Sequence, residues 1–184
     1  MSNLVSADTP GAVEVTVWDL EMVTNPHLVA DPRDDLLLLR ATEPAPELAR
    51  FFYTEVGREF NWFGRMDWTR AEWAAEASRD TNHLWSCWRN GTPVGYFVLD
   101  ENSQDRVGNT ELKYFGLLPS FHGQGIGKWM LTTCIATAWA LPGTERLWLH
   151  TCSLDGPHAK SNYLARGFAE CGQATEYQLI IEPT

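Results

Sequence analysis

The sequence predicts an α/β protein in which a mixed, mostly antiparallel sheet is flanked by helices. Three features carry that prediction. Stretches with strand-like alternation or short apolar runs outnumber the helical stretches and fall in adjacent groups. The pair Asn90-Gly91 stands between two of them and is a tight-hairpin signal, so those two pair antiparallel. Finally, a glycine-rich segment opens a long apolar helix that is followed by strand, helix and strand. That order asks for one crossover, which in such sheets is right-handed.

Taken along the chain, residues 13–18 alternate and read as a strand, and residues 36–41 read as a short apolar strand. The link over 21–35 holds Pro26 and Pro32 and reads as loop. An acidic start and the spacing of Leu48, Phe51, Phe52 and Val56 predict a helix over 47–56 that Gly57 terminates. Residues 57–68 are aromatic, contain glycine, and read as loop. Thr69 and Glu72 have the spacing of a capping box, so a second helix runs from there to about Arg79. Strands are predicted over 83–89, 93–99 and 110–118, with a polar turn over 100–109. A helix over 125–140 is apolar on nearly every side and should be buried all round. A strand over 146–152, a short helix over 158–166 and a closing strand over 175–181 complete the chain.

With 184 residues and 44% hydrophobic content, the chain suits one compact domain. Residues 1–12 carry no basic cluster and no apolar core of the kind a secretory signal needs, and the longest apolar run, residues 36–39, is too short to span a bilayer. A soluble, cytoplasmic protein is therefore expected. The formal charge of −10 opposes binding to nucleic acid or an anionic membrane. Cys87, Cys134, Cys152 and Cys171 lack the paired spacing of a zinc site or a disulfide scaffold, so free, mostly buried thiols and no metal are expected.

The segment His122-Gly123-Gln124-Gly125-Ile126-Gly127-Lys128 places three glycines at a helix start. A helix start leaves backbone N–H groups without partners, and their dipoles attract negative charge. Glycines there let consecutive amides converge and allow a phosphate to come close. Two other readings stand beside this one: a plain tight turn, or a dinucleotide fingerprint. The latter requires an acid about twenty positions on at the end of a strand, whereas the nearest candidate here, Glu145, precedes its strand.

Residues 117–128, from Leu117 through His122 to Lys128, resemble the acyl-CoA signature of the GNAT superfamily of N-acetyltransferases. Leu117 stands in the strand place and Gly125 and Gly127 in the two small-residue places, while His122 replaces the family's arginine or glutamine. A histidine donates a hydrogen bond there with a charge that depends on pH. Further on, the segment from Asn162 through Tyr163 to Gly167-Phe168 is similar to the family's Tyr-x-x-x-Gly-Phe ending. The resemblance covers roughly residues 36–181, which makes residues 1–35 an N-terminal extension with one added strand and residues 36–184 a GNAT acetyltransferase domain.

The resemblance implies acetyl-CoA as cosubstrate, with its pantetheine along backbone groups near Phe115 and Leu117. It puts the pyrophosphate on His122, Gly123, Gln124, Gly125, Ile126, Gly127 and Lys128, with Asn162 among the cofactor-binding residues. Transfer to an amine needs a base, and the departing thiolate needs an acid. Glu111, six residues before Leu117, matches the spacing some members use for a catalytic glutamate; without a bulge the two share a strand face. The alternative for Glu111 is a simple pairing with Lys113. Tyr163 matches the tyrosine whose hydroxyl points at the CoA sulfur. The aromatic loop lies where the family places acceptor recognition, which makes Trp62, Arg65 and Asp67, with Asp155 further on, the acceptor contacts. The expected partner is a primary amine of a small molecule or peptide, handled by a monomer or homodimer. Two rival functions remain: an acyl-enzyme mechanism through Cys152 with His150 or His158, and a non-catalytic acyl-CoA-binding module on the same fold.

Overall fold

A computed structural model describes residues 4–180, the side chain of residue 105 excepted. In chain order the elements are β1 (Ala12–Met22), β2 (Leu37–Arg40), α1 (Pro46–Gly57), α2 (Arg70–Ala77), β3 (Asn82–Arg89), β4 (Thr92–Glu101), β5 (Asn109–Leu117), α3 (Ile126–Ala140), β6 (Arg146–Cys152), α4 (Ala159–Leu164) and β7 (Ala169–Leu179). The seven strands form one sheet in the order β2-β3-β4-β5-β6-β1-β7. Every neighbouring pair is antiparallel except β5 and β6, which α3 connects. The predicted fold class is the observed one.

Local chemistry explains most boundaries. Thr69 and Glu72 make the reciprocal capping box that starts α2. Asn90 and Gly91 both take positive φ, 51° and 78°, the conformation a two-residue hairpin between β3 and β4 requires. β4 is buried from Val94 through Asp100, as befits a central strand covered on both faces. Its alternate residues serve different layers. Phe97 and Leu99 join the core under α3 with Met130, Leu131 and Ile135, while Tyr96 and Val98 meet Phe52 and Val56 of α1 on the opposite face.

Four expectations change. β1 continues to Met22, into residues read as loop, because Leu20 and Met22 are buried core side chains and the strand is paired on both sides. β7 begins at Ala169, six residues before the expected 175, since its pairing with β1 starts at Glu21; residue 181 of the expected strand lies outside the described residues, as do 1–3 and 182–184. The last helix is shorter than predicted. Helix α3 is buried along one stripe rather than all round: Ile126, Met130, Leu131, Cys134, Ile135 and Ala138 face the sheet, Trp129 and Trp139 are half-covered, and Ala136 and Ala140 are exposed. Small residues on the outer face make it apolar in composition without needing burial.

β1, the strand of the N-terminal segment, is held between β6 and β7 in the sheet. No helix among the described residues is long and apolar enough to cross a membrane. Cys87 and Cys134 are buried, Cys152 is half-buried and Cys171 is exposed; none is bonded to another.

One buried group carries a stability prediction. The Tyr96 side chain is 1% exposed, stacks on Phe52, and its hydroxyl has no hydrogen-bond partner among the described residues. An unsatisfied buried hydroxyl costs about 1–3 kcal/mol, so Tyr96→Phe is expected to stabilise the protein by about 1 kcal/mol. A higher denaturant midpoint at unchanged m-value would show it.

Candidate functional site

The parallel pairing of β5 with β6 covers only Asn109, Thr110 and Glu111, opposite Arg146, Leu147 and Trp148. Beyond Glu111 the two strands part, and the β5 edge that turns toward β6 has no strand partner through Leu117. Backbone groups on such an edge must be satisfied by something other than the sheet. The opened edge leads directly to the glycine segment.

There, Gly123 and Gly125 both take φ of 73°, and a Cβ built on either would meet nothing within 4 Å. No acceptor among the described residues takes the amides of residues 123–128; the first helical bond runs from Trp129 N to Gly125 O. The first turn of α3 holds no acid and no side-chain cap. His122 Nε2 donates to the Leu117 carbonyl at 3.1 Å, tying the loop back to the strand it leaves. Gln124 is held by Arg89, whose guanidinium donates to Gln124 Oε1 at 2.9 Å and lies over Phe121. Arg166 reaches the first turns of α3 at Thr132 Oγ1 and Lys128 O. Amides without acceptors, open space and basic neighbours in an otherwise acidic chain fit a diphosphate.

The expected face-sharing of Glu111 and Leu117 does not hold. β5 carries a bulge: Val98 pairs with Tyr114 and Leu99 with Leu112, which leaves Lys113 unmatched and inverts the alternation. Leu117 and Phe115 face α3. Glu111, paired with Asp100, faces α1 and α2. Nor does Glu111 pair with Lys113, whose Nζ bonds Glu76 at 2.6 Å and Asp100 at 2.9 Å. Instead Glu111 Oε1 lies 3.8 Å from His150 Nδ1. Burial raises the Glu111 pKa, and the positive charges of His150, Lys113 and Arg65 only partly offset it.

On the α3 side, Tyr163 stands edge-on to Phe115 and Phe168, with ring centroids 6.4 Å and 5.9 Å away. Its hydroxyl has no hydrogen-bond partner among the described residues, and burial followed by the nearby Asp155 charge pushes its pKa up. The gap between β5 and β6 is thus flanked by Glu111 on one face of the sheet and Tyr163 on the other.

The aromatic loop covers the Glu111 face. Trp62 packs against Tyr53 and Tyr114, and its place depends on Gly57, where any Cβ would clash with the Trp62 Cβ. Asp155 receives bonds from Trp62 Nε1, Thr151 Oγ1 and the Cys152 amide. It therefore clasps the aromatic loop to the β6–α4 turn, and an acceptor would meet a carboxylate already engaged. Arg65 bonds Glu76 at 3.3 Å and lies over the rings of Trp68 and Tyr114, while Asp67 sits at an exposed position. Beneath α1 and α2, a cavity of about 420 Å³ shares Tyr114 and Arg65 with this face and is walled by Tyr53, Trp73 and Tyr96. That is room for a small-molecule group. Burial and Asp155 raise the Cys152 thiol pKa, the wrong direction for a nucleophilic thiolate.

The structure thus brings the predicted loop residues together, sets Glu111 and Tyr163 on either side of the gap, and puts Trp62 and Asp155 in contact. Two contributors, Arg89 and Tyr114, escaped the sequence reading, and a third, His150, is read there only as a partner of Cys152. Arg89 ends the hairpin strand that reaches the loop, a proximity set by tertiary pairing alone. Tyr114 turns toward Glu111's face through the bulge. His150 is two positions past the residue paired with Glu111, which only the strand register shows.

Residues 45–168 match the Acetyltransferase (GNAT) family. No curated protein sequence matches the chain. Among solved structures, the fold is similar to a GCN5-related N-acetyltransferase from Sphaerobacter thermophilus (TM-score 0.63, 16% identity, 92% of this chain and 53% of that one). It is similar to another from Kribbella flavida (TM-score 0.61, 15% identity, 91% and 59%). An aminoglycoside N-acetyltransferase in complex with CoA is also similar (TM-score 0.55, 15% identity, 77% and 93%). The chain spans 53% and 59% of the length of the first two. With the family match covering most of its length, from the start of α1 to the end of the last helical turn, the chain belongs to the acetyltransferase (GNAT) family.

Proposed function

We propose that the protein moves an acetyl group from acetyl-CoA to a primary amine of a small molecule or peptide by direct transfer. One observation carries this reading: a largely covered carboxyl of raised pKa and an unpartnered phenol flank the same strand gap from opposite faces, and the gap ends at a loop of free amides.

Acetyl-CoA supplies an activated thioester, so the chain's own work is positioning and proton handling. The amides of residues 123–128 hold the diphosphate, and the unpaired edge near Phe115 and Leu117 holds the pantetheine. Glu111 removes a proton from the ammonium group that enters between the aromatic loop and β6. The neutral amine then attacks the carbonyl carbon from the Glu111 face. Tyr163 meets the departing thiolate from the other face. Because its pKa is raised while a thiol's is about 8.5, the phenol keeps its own proton and stabilises the developing thiolate by donating a hydrogen bond, while the attacking nitrogen's second proton, released as the C–S bond breaks, passes to the sulfur, so that CoA leaves as the thiol.

Removing that hydroxyl with Tyr163→Phe is expected to lower kcat roughly 100-fold, with KM for acetyl-CoA and the melting temperature nearly unchanged. An equal loss in KM would assign the tyrosine to binding instead. The reaction itself is tested by mixing the protein, acetyl-CoA and a panel of primary amines and following thiol release. CoA binding with no turnover across the panel would favour a non-catalytic acyl-CoA-binding module.

A further inference from the structure

Each transfer leaves one proton on Glu111, and Glu111 is poorly placed to lose it. Its side chain is 13% exposed and enclosed by groups from four elements. Lys113, on the same strand, is committed to Glu76 and Asp100. Asp100 of β4 is buried and also bonded to Arg79. Arg65 of the aromatic loop is bonded to Glu76 and covered by Trp68 and Tyr114. Lysine and arginine stay charged at neutral pH and accept no proton. The fourth neighbour, His150 of β6, has its side chain 55% exposed and turns Nδ1 toward Glu111 Oε1. Imidazole is the side chain able to take and release a proton near neutral pH.

We propose that His150 is the proton exit of the site, accepting from Glu111 the proton taken from the amine and releasing it to water. The proposal rests on the transfer reading above. In the step, the Glu111 Oε1–H bond breaks as the His150 Nδ1–H bond forms, the imidazolium then loses its Nε2 proton to solvent, and the exposed ring returns through proton exchange with water to the Nε2–H tautomer, which frees Nδ1 for the next proton. No electron changes hands, and the glutamate returns as carboxylate for the next amine. The 3.8 Å separation closes to hydrogen-bond distance by rotation of the exposed ring, or is bridged by one water.

His150→Ala, at a solvent-exposed position, is expected to fold normally, which a melting curve checks. With an amine the wild type acetylates, kcat should fall about 10-fold, less than the 10²–10⁴-fold of a direct acid–base group. The acid limb of the kcat/KM profile should move to higher pH, because the positive charge that favours the Glu111 carboxylate is gone. Added imidazole should restore the rate. His150→Gln, which keeps size and polarity, should show the same limb shift, and carbon NMR of the Glu111 carboxyl should titrate upward in it independently of turnover. Unchanged rate and limb in either variant would overturn the relay, as would a loss that imidazole leaves untouched. Wild-type protein that acetylates no amine defeats the transfer reading itself, a failure visible before any variant is made.

Discussion

Gly125→Asp is expected to lose its response to CoA while remaining folded. Aspartate is among the residues that best tolerate the φ of 73° found here, and its Cβ would enter open space. Backbone strain of about 1 kcal/mol is offset in part by placing a carboxylate at a helix N-terminus, which contributes about 0.3–1 kcal/mol. The fold therefore stands, but a negative charge now occupies the space proposed for the diphosphate. At 4 Å and an effective dielectric near 20, each pair of like unit charges costs about 4 kcal/mol, roughly a thousand-fold in affinity. Wild-type protein should melt at a higher temperature in millimolar CoA, and the variant should not. Ala136→Asp is the control: it adds the same charge at an exposed position of α3 outside the glycine segment, so CoA should still stabilise it. Equal stabilisation of Gly125→Asp would remove the anion-site reading and the transfer mechanism built on it.

The contrast between the loop and Glu111 shows what a sequence displays. The glycine segment is legible because its chemistry is local: positive φ, free amides and the helix start all arise within residues 122–128. The hairpin at Asn90-Gly91 and the capping box at Thr69 are legible for the same reason. The face of Glu111 is not local. It turns on Lys113 being skipped in the ladder with β4, and nothing in the run from Thr110 to Leu117 marks that residue as the extra one. The partners of Lys113, Glu76 on α2 and Asp100 on β4, explain the bulge afterwards: the lysine leaves the ladder to reach two carboxylates. Asp155 carries the same lesson. As a loop acid after a strand it looks available to a substrate, yet Thr151 and Cys152 at the end of that strand already hold it, as does Trp62, 93 positions away in the chain. His150 joined Glu111 only once the parallel pairing of β5 and β6 was known.

Because burial raises the Glu111 pKa, Glu111→Gln separates catalysis from stability. If Glu111 removes the amine proton, the variant should lose about 10²–10⁴-fold in kcat/KM. In the wild type, kcat/KM should fall as pH drops through the raised Glu111 pKa, since only the carboxylate accepts a proton. The stability effect runs the other way. A folded-state pKa above the unfolded value means that ionised Glu111 is less favourable in the folded protein than in the unfolded chain. The wild type bears that cost at neutral pH; glutamine, of nearly the same shape, does not. Denaturation at pH 7 should find the variant more stable. The advantage should shrink as pH falls through the folded pKa and vanish below about 4.3, where the carboxyl is protonated in both states. Losing the attraction to His150 opposes this only weakly, because that pair is separated by 3.8 Å and its imidazole lies largely in water. A variant that is less stable at pH 7 would make Glu111 a structural ion-pair partner, and one that retains activity within a few-fold would take the proton-accepting role away from it.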